Sequence, residues 1–369
     1  MTDTKIHSLL ALKHVPNLGD TSIKKLIQHV GSAEEVLSKK PSQLCKIEGI
    51  GLHKVGDLHN PIHQKAAEKE LQFIRDQNIG ISCYDEPEYP EKLKHCIDGP
   101  VVLFSRGNIR LQQQKIISIV GTRNITTYGT QFCEELISHL APLNPVIVSG
   151  FAYGVDICAH NAAIQNNLQT VACMAHGLNQ VYPKVHGKYV ERIEANGGFF
   201  TDYWSSDTFD RKNFLGRNRI IAGLSEATLV IESAEKGGSL VTAQIADSYN
   251  REVFAVPGRT TDAYSKGCNH LIKIQKAHVL TNASDLLYTL NWNLEAAEVS
   301  SRNVQKQLFV ELTSSEKSVY TYLTQEGKKE LDAIALSCKI PTHQTATLLL
   351  NMEMKGVVRP LPGKLFEAV

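Results

Sequence analysis

Between residues 81 and 300 the chain alternates short β-branched, apolar runs with longer stretches of helical period. The apolar runs fall at 116–120, 146–149, 170–174, 228–232 and 252–256, and the helical stretches at 129–140, 156–166, 186–196, 217–224 and 240–249. Strict alternation of this kind predicts a parallel sheet with helices on both faces, an α/β fold of extended Rossmann-like type. Residues 1–80 carry a helical pattern instead. Two glycine turns recur there, Val15-Pro16-Asn17-Leu18-Gly19 ahead of 22–30 and Ile47-Glu48-Gly49-Ile50-Gly51 ahead of 52–58. Residues 291–312 are mostly polar, lack either period and read as a linker. Beyond them, 315–324, 331–337 and 342–354 read as three helices and 357–366 as a hairpin, together a winged helix over 313–369.

Composition narrows the class without naming a function. A chain of 369 residues exceeds the ~100–200 of a typical domain, so two or three are expected. The formal net charge is +1, so any basic surface must come from local placement. No stretch reaches the ~20 apolar residues of a membrane span, and the N-terminus lacks the pattern of a signal peptide. The eight cysteines are scattered without a C-x-x-C pair and read as reduced core thiols of a cytoplasmic protein. His139, His160 and His176 show no metal spacing.

Ligands of an open α/β sheet bind beyond the carboxyl ends of its strands. The loop after the first run is Gly121-Thr122-Arg123, and the second is Ser149-Gly150-Phe151-Ala152-Tyr153-Gly154-Val155-Asp156. Further along lie Ala175-His176-Gly177-Leu178-Asn179 leading to Tyr182-Pro183-Lys184, then Arg217-Asn218-Arg219, then Lys236-Gly237-Gly238-Ser239. Glycine permits close approach, backbone amides and hydroxyls suit phosphate oxygens, and arginine supplies a charged fork. Each loop alone also reads as tight packing, Arg217 and Arg219 as a solvated helix face, and His160 as a satisfied helix histidine. Their convergence on one sheet edge favours a phosphate site. His176 reads as the more open histidine. The chain has no G-x-G-x-x-G after the first strand, no P-loop and no G-x-S-x-G elbow, which argues against a dinucleotide cofactor, an ATPase and a hydrolase. Asp156 and Glu232 are carboxylates that capping and strand-end hydrogen bonds explain.

From about Tyr89 to Leu287 the motifs resemble the bacterial DNA-processing protein A family (DprA, also called Smf). They are IVGTR (119–123), SGFAYGVDICAH (149–160), GLNQVYP (177–183), RNRIIAGLS (217–225), GGSLVTAQIA (237–246) and VFAVPG (253–258). The resemblance implies a non-enzymatic, cofactor-free homodimer that binds and protects incoming single-stranded DNA and loads RecA recombinase during natural transformation. It implies helix-hairpin-helix (SAM-like) units before a Rossmann-like domain over 81–290, and a winged helix after it. It carries the phosphate site onto Gly121, Thr122, Arg123, Ser149, Gly150, Phe151, Ala152, Lys184, Arg217, Asn218, Arg219, Gly238 and Ser239. Phe151, Tyr153 and Phe214 are the candidates for stacking on a base. Thr122, Phe151, Asn179, the run 201–204 and Leu215-Gly216 depart from the usual family residues and leave the base-facing side open. The third winged-helix segment has only His343 and Lys355 as nearby basic residues, which favours a protein-contact role there. The rival class is a Rossmann-like nucleotide phosphoribohydrolase. Its P-G-G-x-G-T-x-x-E loop places a catalytic glutamate where this chain has Thr242.

Overall fold

The computed structural model describes residues 2–292, 312–361 and 365–368. They fall into two compact units, one up to residue 292 and one from residue 312 on. Most of the expected linker, and the tip of the expected hairpin at 362–364, lie outside the described residues.

The first unit opens with six helices, α1 (Asp3–His14), α2 (Asp20–Val30), α3 (Ala33–Ser38), α4 (Pro41–Leu44), α5 (Leu52–Val55) and α6 (Pro61–Asp76). The two glycine turns end at the N-caps of α2 and α5, Gly19 and Gly51, neither of which has a side-chain cap. The second helix is a single turn, shorter than its pattern predicts.

A nine-stranded sheet follows, in the order β1-β2-β6-β5-β4-β3-β7-β8-β9. Its strands are β1 (Gly80–Cys83), β2 (Val102–Gly107), β3 (Ile116–Val120), β4 (Val146–Ser149), β5 (Thr170–Cys173), β6 (Gly197–Thr201), β7 (Ala227–Val230), β8 (Glu252–Ala255) and β9 (His278–Val279). From β6 across to β9 every pairing is parallel. β1 and β2 pair antiparallel, and β2 joins β6 antiparallel. β6 escapes a periodicity reading because Gly-Gly opens it and leaves only two large apolar residues, Phe199 and Phe200. The expected all-parallel sheet thus gains an antiparallel edge.

The helices that follow the strands are α7 (Glu91–Lys94), α8 (Thr127–Leu140), α9 (Val155–Gln165), α10 (Val190–Ala195), α11 (Asn213–Leu224), α12 (Gly238–Ser248), α13 (Lys266–Lys273) and α14 (Ala283–Leu290). The expected helix over 186–196 is a 3-10 segment, Lys184–Tyr189, passing into α10. Two apolar clusters cover the sheet. One joins Ile117, Ile119, Ile147 and Leu229 to α8 and α9, and the other joins Val120, Val148, Val171 and Val230 to α11 and α12. The N-terminal helices share a third cluster with Phe104, Phe151, Phe199 and Trp204, so they pack directly on the sheet unit.

The second unit contains α15 (Ser314–Glu326), β10 (Lys329–Glu330), α16 (Leu331–Cys338), α17 (Thr342–Met354), β11 (Val358–Leu361) and β12 (Leu365–Ala368). Its small sheet runs β10-β12-β11, and three helices with a hairpin make a winged helix around Val319, Leu323, Ile334, Leu349 and Met352. Thr313 and Glu316 form a reciprocal capping box on α15. Lys355 pairs with Glu316 at 2.8 Å, so that cation is already engaged within the unit.

Candidate functional site

From β3 the chain winds outward through β4, β5 and β6. From β7 it winds outward the other way through β8 and β9. The strand order therefore reverses between β3 and β7, and the loops beyond their carboxyl ends part there. In open α/β sheets this switch point is where a ligand crevice forms. A cleft of about 400 Å³ occupies it.

One wall is the loop Gly121–Asn124. Thr122 N–H donates to the Glu232 carbonyl at 2.7 Å, and Val155 N–H donates to the Thr122 carbonyl at 3.1 Å, tying three strand-end loops together. Gly154 has φ +75°, and a Cβ there would run into the Thr122 carbonyl and the Arg123 backbone. Only glycine lets these two loops meet. The opposite wall is the first turn of α12, whose N-cap Gly237 has no side-chain cap. The Ser239 hydroxyl donates to the Ser233 hydroxyl at 2.9 Å.

The third wall is α11. Phe214, Arg217, Asn218 and Ile221 all line the cleft, as spacings of three, four and seven on a helix require. Arg217 is only 4% exposed. Its Nη1 donates to the Cys173 carbonyl. Its Nε is buried without a hydrogen-bond partner among the described residues. Burial lowers the Arg217 pKa, with Asp156 opposing, and burial raises that of Asp156, with Arg217 opposing. Arginine keeps its charge in spite of this, so a buried cation with one unmet donor, Nε, lines the cleft. The Arg123 guanidinium stands 5.3 Å from the Phe214 ring centre and that of Arg217 5.8 Å. Arg211 also lines the cleft. Three guanidiniums and one carboxylate, Asp156, thus line the cleft, and Asp156 Oδ2 accepts from Ala152 N–H at 3.4 Å. The arrangement favours an anion with several acceptor oxygens.

The structure sorts the residues singled out by sequence. Gly121, Thr122, Arg123, Ala152, Arg217, Asn218, Gly238 and Ser239 line the cleft together. Gly150 lies just behind, where a Cβ would come within 2.8 Å of both Arg217 Nη nitrogens. Ser149 does not offer its hydroxyl, which is fully buried and donates to the Ile119 carbonyl at 2.6 Å. Phe151 is a core residue, edge-on to Phe199 and His186 at 5.5 and 5.3 Å, and is therefore not a stacking surface. Lys184 is exposed at the start of its 3-10 segment and does not line the cleft.

Arg219 is the clearest correction. Two residues beyond Arg217 it sits about 200° further round α11. There it pairs with Asp20 at 3.0 Å and with Asp202, and it donates to the Asp98 carbonyl. His160 is the satisfied helix histidine, with Nδ1 2.7 Å from Thr170 Oγ1 and Nε2 2.6 Å from the Gly150 carbonyl. Burial pushes its pKa down to about 4. His176 is buried rather than open, with Nδ1 2.9 Å from the Gly177 carbonyl. Glu232 accepts from Thr126 N–H at 2.8 Å and from its hydroxyl at 2.5 Å, a loop-fixing role.

Asn124 and Arg211 were missed. Asn124 is one residue beyond the Gly-Thr-Arg signal, and Arg211 precedes α11 by two residues in a polar stretch without period. α11 begins at Asn213, one turn before the helical pattern at 217–224, and this puts Phe214 and Arg217 on one face.

Residues 80–291 match the family described as DNA recombination-mediator protein A, and residues 310–364 match the DprA winged helix domain. Protein Smf of Synechocystis sp. is 34% identical over 288 residues, 76% of this chain and 71% of that protein. DNA processing protein DprA of Bacillus subtilis is 35% identical over 255 residues, 68% of this chain and 82% of that protein. The X-ray structure of DprA from Streptococcus pneumoniae superposes with a TM-score of 0.65 at 29% identity, covering 78% of this chain and 98% of that one. A structure of DprA from Helicobacter pylori, described as showing a unique single-stranded DNA binding mode, superposes with a TM-score of 0.52 at 28% identity, covering 58% of this chain and 95% of that one. With this fold, this winged helix and these relatives, the chain belongs to the DNA recombination-mediator protein A (DprA/Smf) family.

Proposed function

We propose that this protein binds single-stranded DNA by its phosphate backbone in the cleft at the β3–β7 switch point. Arg217 carries the reading. A guanidinium buried with an unmet Nε, beside Arg123, Arg211 and the uncapped start of α12, suits a phosphodiester. The relative from Helicobacter pylori, described by its single-stranded DNA binding mode, supports the choice of ligand. Gly121, Thr122, Arg123, Ala152, Asn218, Gly238 and Ser239 surround the backbone at close range. In this reading the protein acts without catalysis, as a homodimer in the cytoplasm. It shields incoming strands and passes them to RecA recombinase during natural transformation.

The test is competition between a labelled single-stranded oligonucleotide and unlabelled single-stranded or duplex DNA of the same sequence. The single strand is expected to displace the probe at far lower concentration. Preferential displacement by duplex would overturn the reading. The same complexes, offered RecA, should nucleate filaments sooner than free strand does. Base release from nucleoside monophosphates would favour a phosphoribohydrolase instead.

A further inference from the structure

Beside the cleft lies a group of rings that the phosphate chemistry does not use. Tyr182, on the loop before the 3-10 segment, and Phe209, on the loop before α11, are each 40% exposed. Their ring centres are 4.5 Å apart. Both also meet Phe214, at 5.9 Å from Tyr182 and 5.8 Å from Phe209. Phe214 is the ring beneath Arg123 and Arg217. One aromatic surface therefore runs from the guanidiniums out to solvent.

The loops that carry these rings are held in place. Ser205 donates through its N–H and hydroxyl to the two Glu70 carboxylate oxygens, at 2.9 and 2.5 Å. Asn179 Nδ2 donates to the Ser205 carbonyl at 2.8 Å, linking the Tyr182 loop to the Phe209 loop. The Tyr203 hydroxyl donates to the Asn213 carbonyl at 3.0 Å, fixing the far end. Large rings left exposed on anchored loops mark a contact surface rather than a fraying one.

We infer that Tyr182 and Phe209 form a stacking shelf for the bases of the strand whose phosphates lie in the cleft. The inference rests on the single-stranded DNA reading above. A nucleotide joins an anionic phosphate to a flat apolar base, and the surface presents these two chemistries in the same sequence: arginines first, then rings. Every base has a π face, so the shelf accepts any base and favours pyrimidine or purine only through stacking strength.

The test compares an oligothymidylate with an oligonucleotide of equal length and charge made of abasic residues. Wild-type protein should bind the base-bearing strand roughly tenfold or more tightly. The double variant Tyr182→Leu, Phe209→Leu should lose that preference while binding the abasic strand as wild type does. Phe209→Trp should keep the preference, and its indole fluorescence should be quenched by oligothymidylate but not by the abasic strand. If the double variant retains the preference while Arg123→Ala still weakens both strands, the shelf is refuted and the cleft stands. If the double variant weakens both strands equally, the rings only position the cleft and the shelf is also refuted. If wild type binds neither strand, the function proposed above fails and the shelf fails with it.

Discussion

Arg217→Gln is expected to weaken single-stranded DNA binding by roughly ten- to a hundredfold, the equivalent of one charge-assisted hydrogen-bonded contact at about 1.5–3 kcal/mol. Arg217 is the most deeply buried charge in the cleft, and its Nε has no partner among the described residues. A phosphate oxygen there would meet a desolvated cation, the setting in which such a contact is strongest. Glutamine is too short to span from α11 to the Cys173 carbonyl and to the cleft at once. The variant should also lose stability, because the Cys173 carbonyl that Arg217 satisfies becomes an orphan at a cost of about 1–3 kcal/mol. Arg217→Lys separates the two effects. It keeps a charge but loses the fork, so binding should recover only in part. Equilibrium titration, with urea unfolding as the fold control, reads both quantities.

Arg219→Ala should do the opposite, with a large stability loss and little direct effect on DNA. Arg219, Lys13, Asp20 and Asp202 form a buried cluster between α1, α2, α11 and the end of β6, with Lys13 at 3.5 and 3.6 Å from the two carboxylates. Removing one partner from a buried network costs about 3–5 kcal/mol, because the remaining charges lose their compensation. Burial by itself would raise the Asp20 pKa. Lys13 and Arg219 outweigh it and hold Asp20 at about 2, below its ordinary 3.8. The unfolded chain therefore takes up a proton at this site before the folded chain does. The stability Asp20 supplies is complete above about pH 4 and is lost as pH falls toward 2. Urea midpoints between pH 7 and pH 3 should fall in wild type on the acid side of that range. They should fall less steeply in Arg219→Ala, which begins lower. Equal midpoints for the two proteins at pH 7 would contradict the cluster's role.

The parallel core was legible because its strands, among them Ile116–Val120 and Val146–Ser149, are short apolar runs buried on both faces, separated by helices of clear period. The edge was not. β1 is only partly buried, β6 opens with two glycines, and antiparallel joining of β2 to β6 depends on distant residues that leave no local period. The cleft was legible where residues act through the backbone or through strand-end position, as Gly121, Arg123 and Gly238 do. It was illegible where helix phase decides. Arg217 and Arg219 look equivalent in the string Arg-Asn-Arg, yet the turn of α11 sends one into the cleft and the other into the Asp20–Asp202 cluster. Phe151 and Phe214 look equivalent as base-stacking residues in the sequence, yet tertiary packing sets Phe151 against Phe199 and leaves Phe214 beneath two guanidiniums.

The central claim is that phosphate groups of a single strand sit against the arginines of this cleft, and the salt dependence of binding reports it most directly. Each phosphate contact on a single strand contributes about 0.7 to the slope of log affinity against log salt. Oligothymidylate binding should weaken linearly on that plot. Arg123→Ala, which removes an arginine that lines the cleft, should bind more weakly and show a slope shallower by about 0.7. An affinity and slope in Arg123→Ala identical to those of wild type would contradict the account.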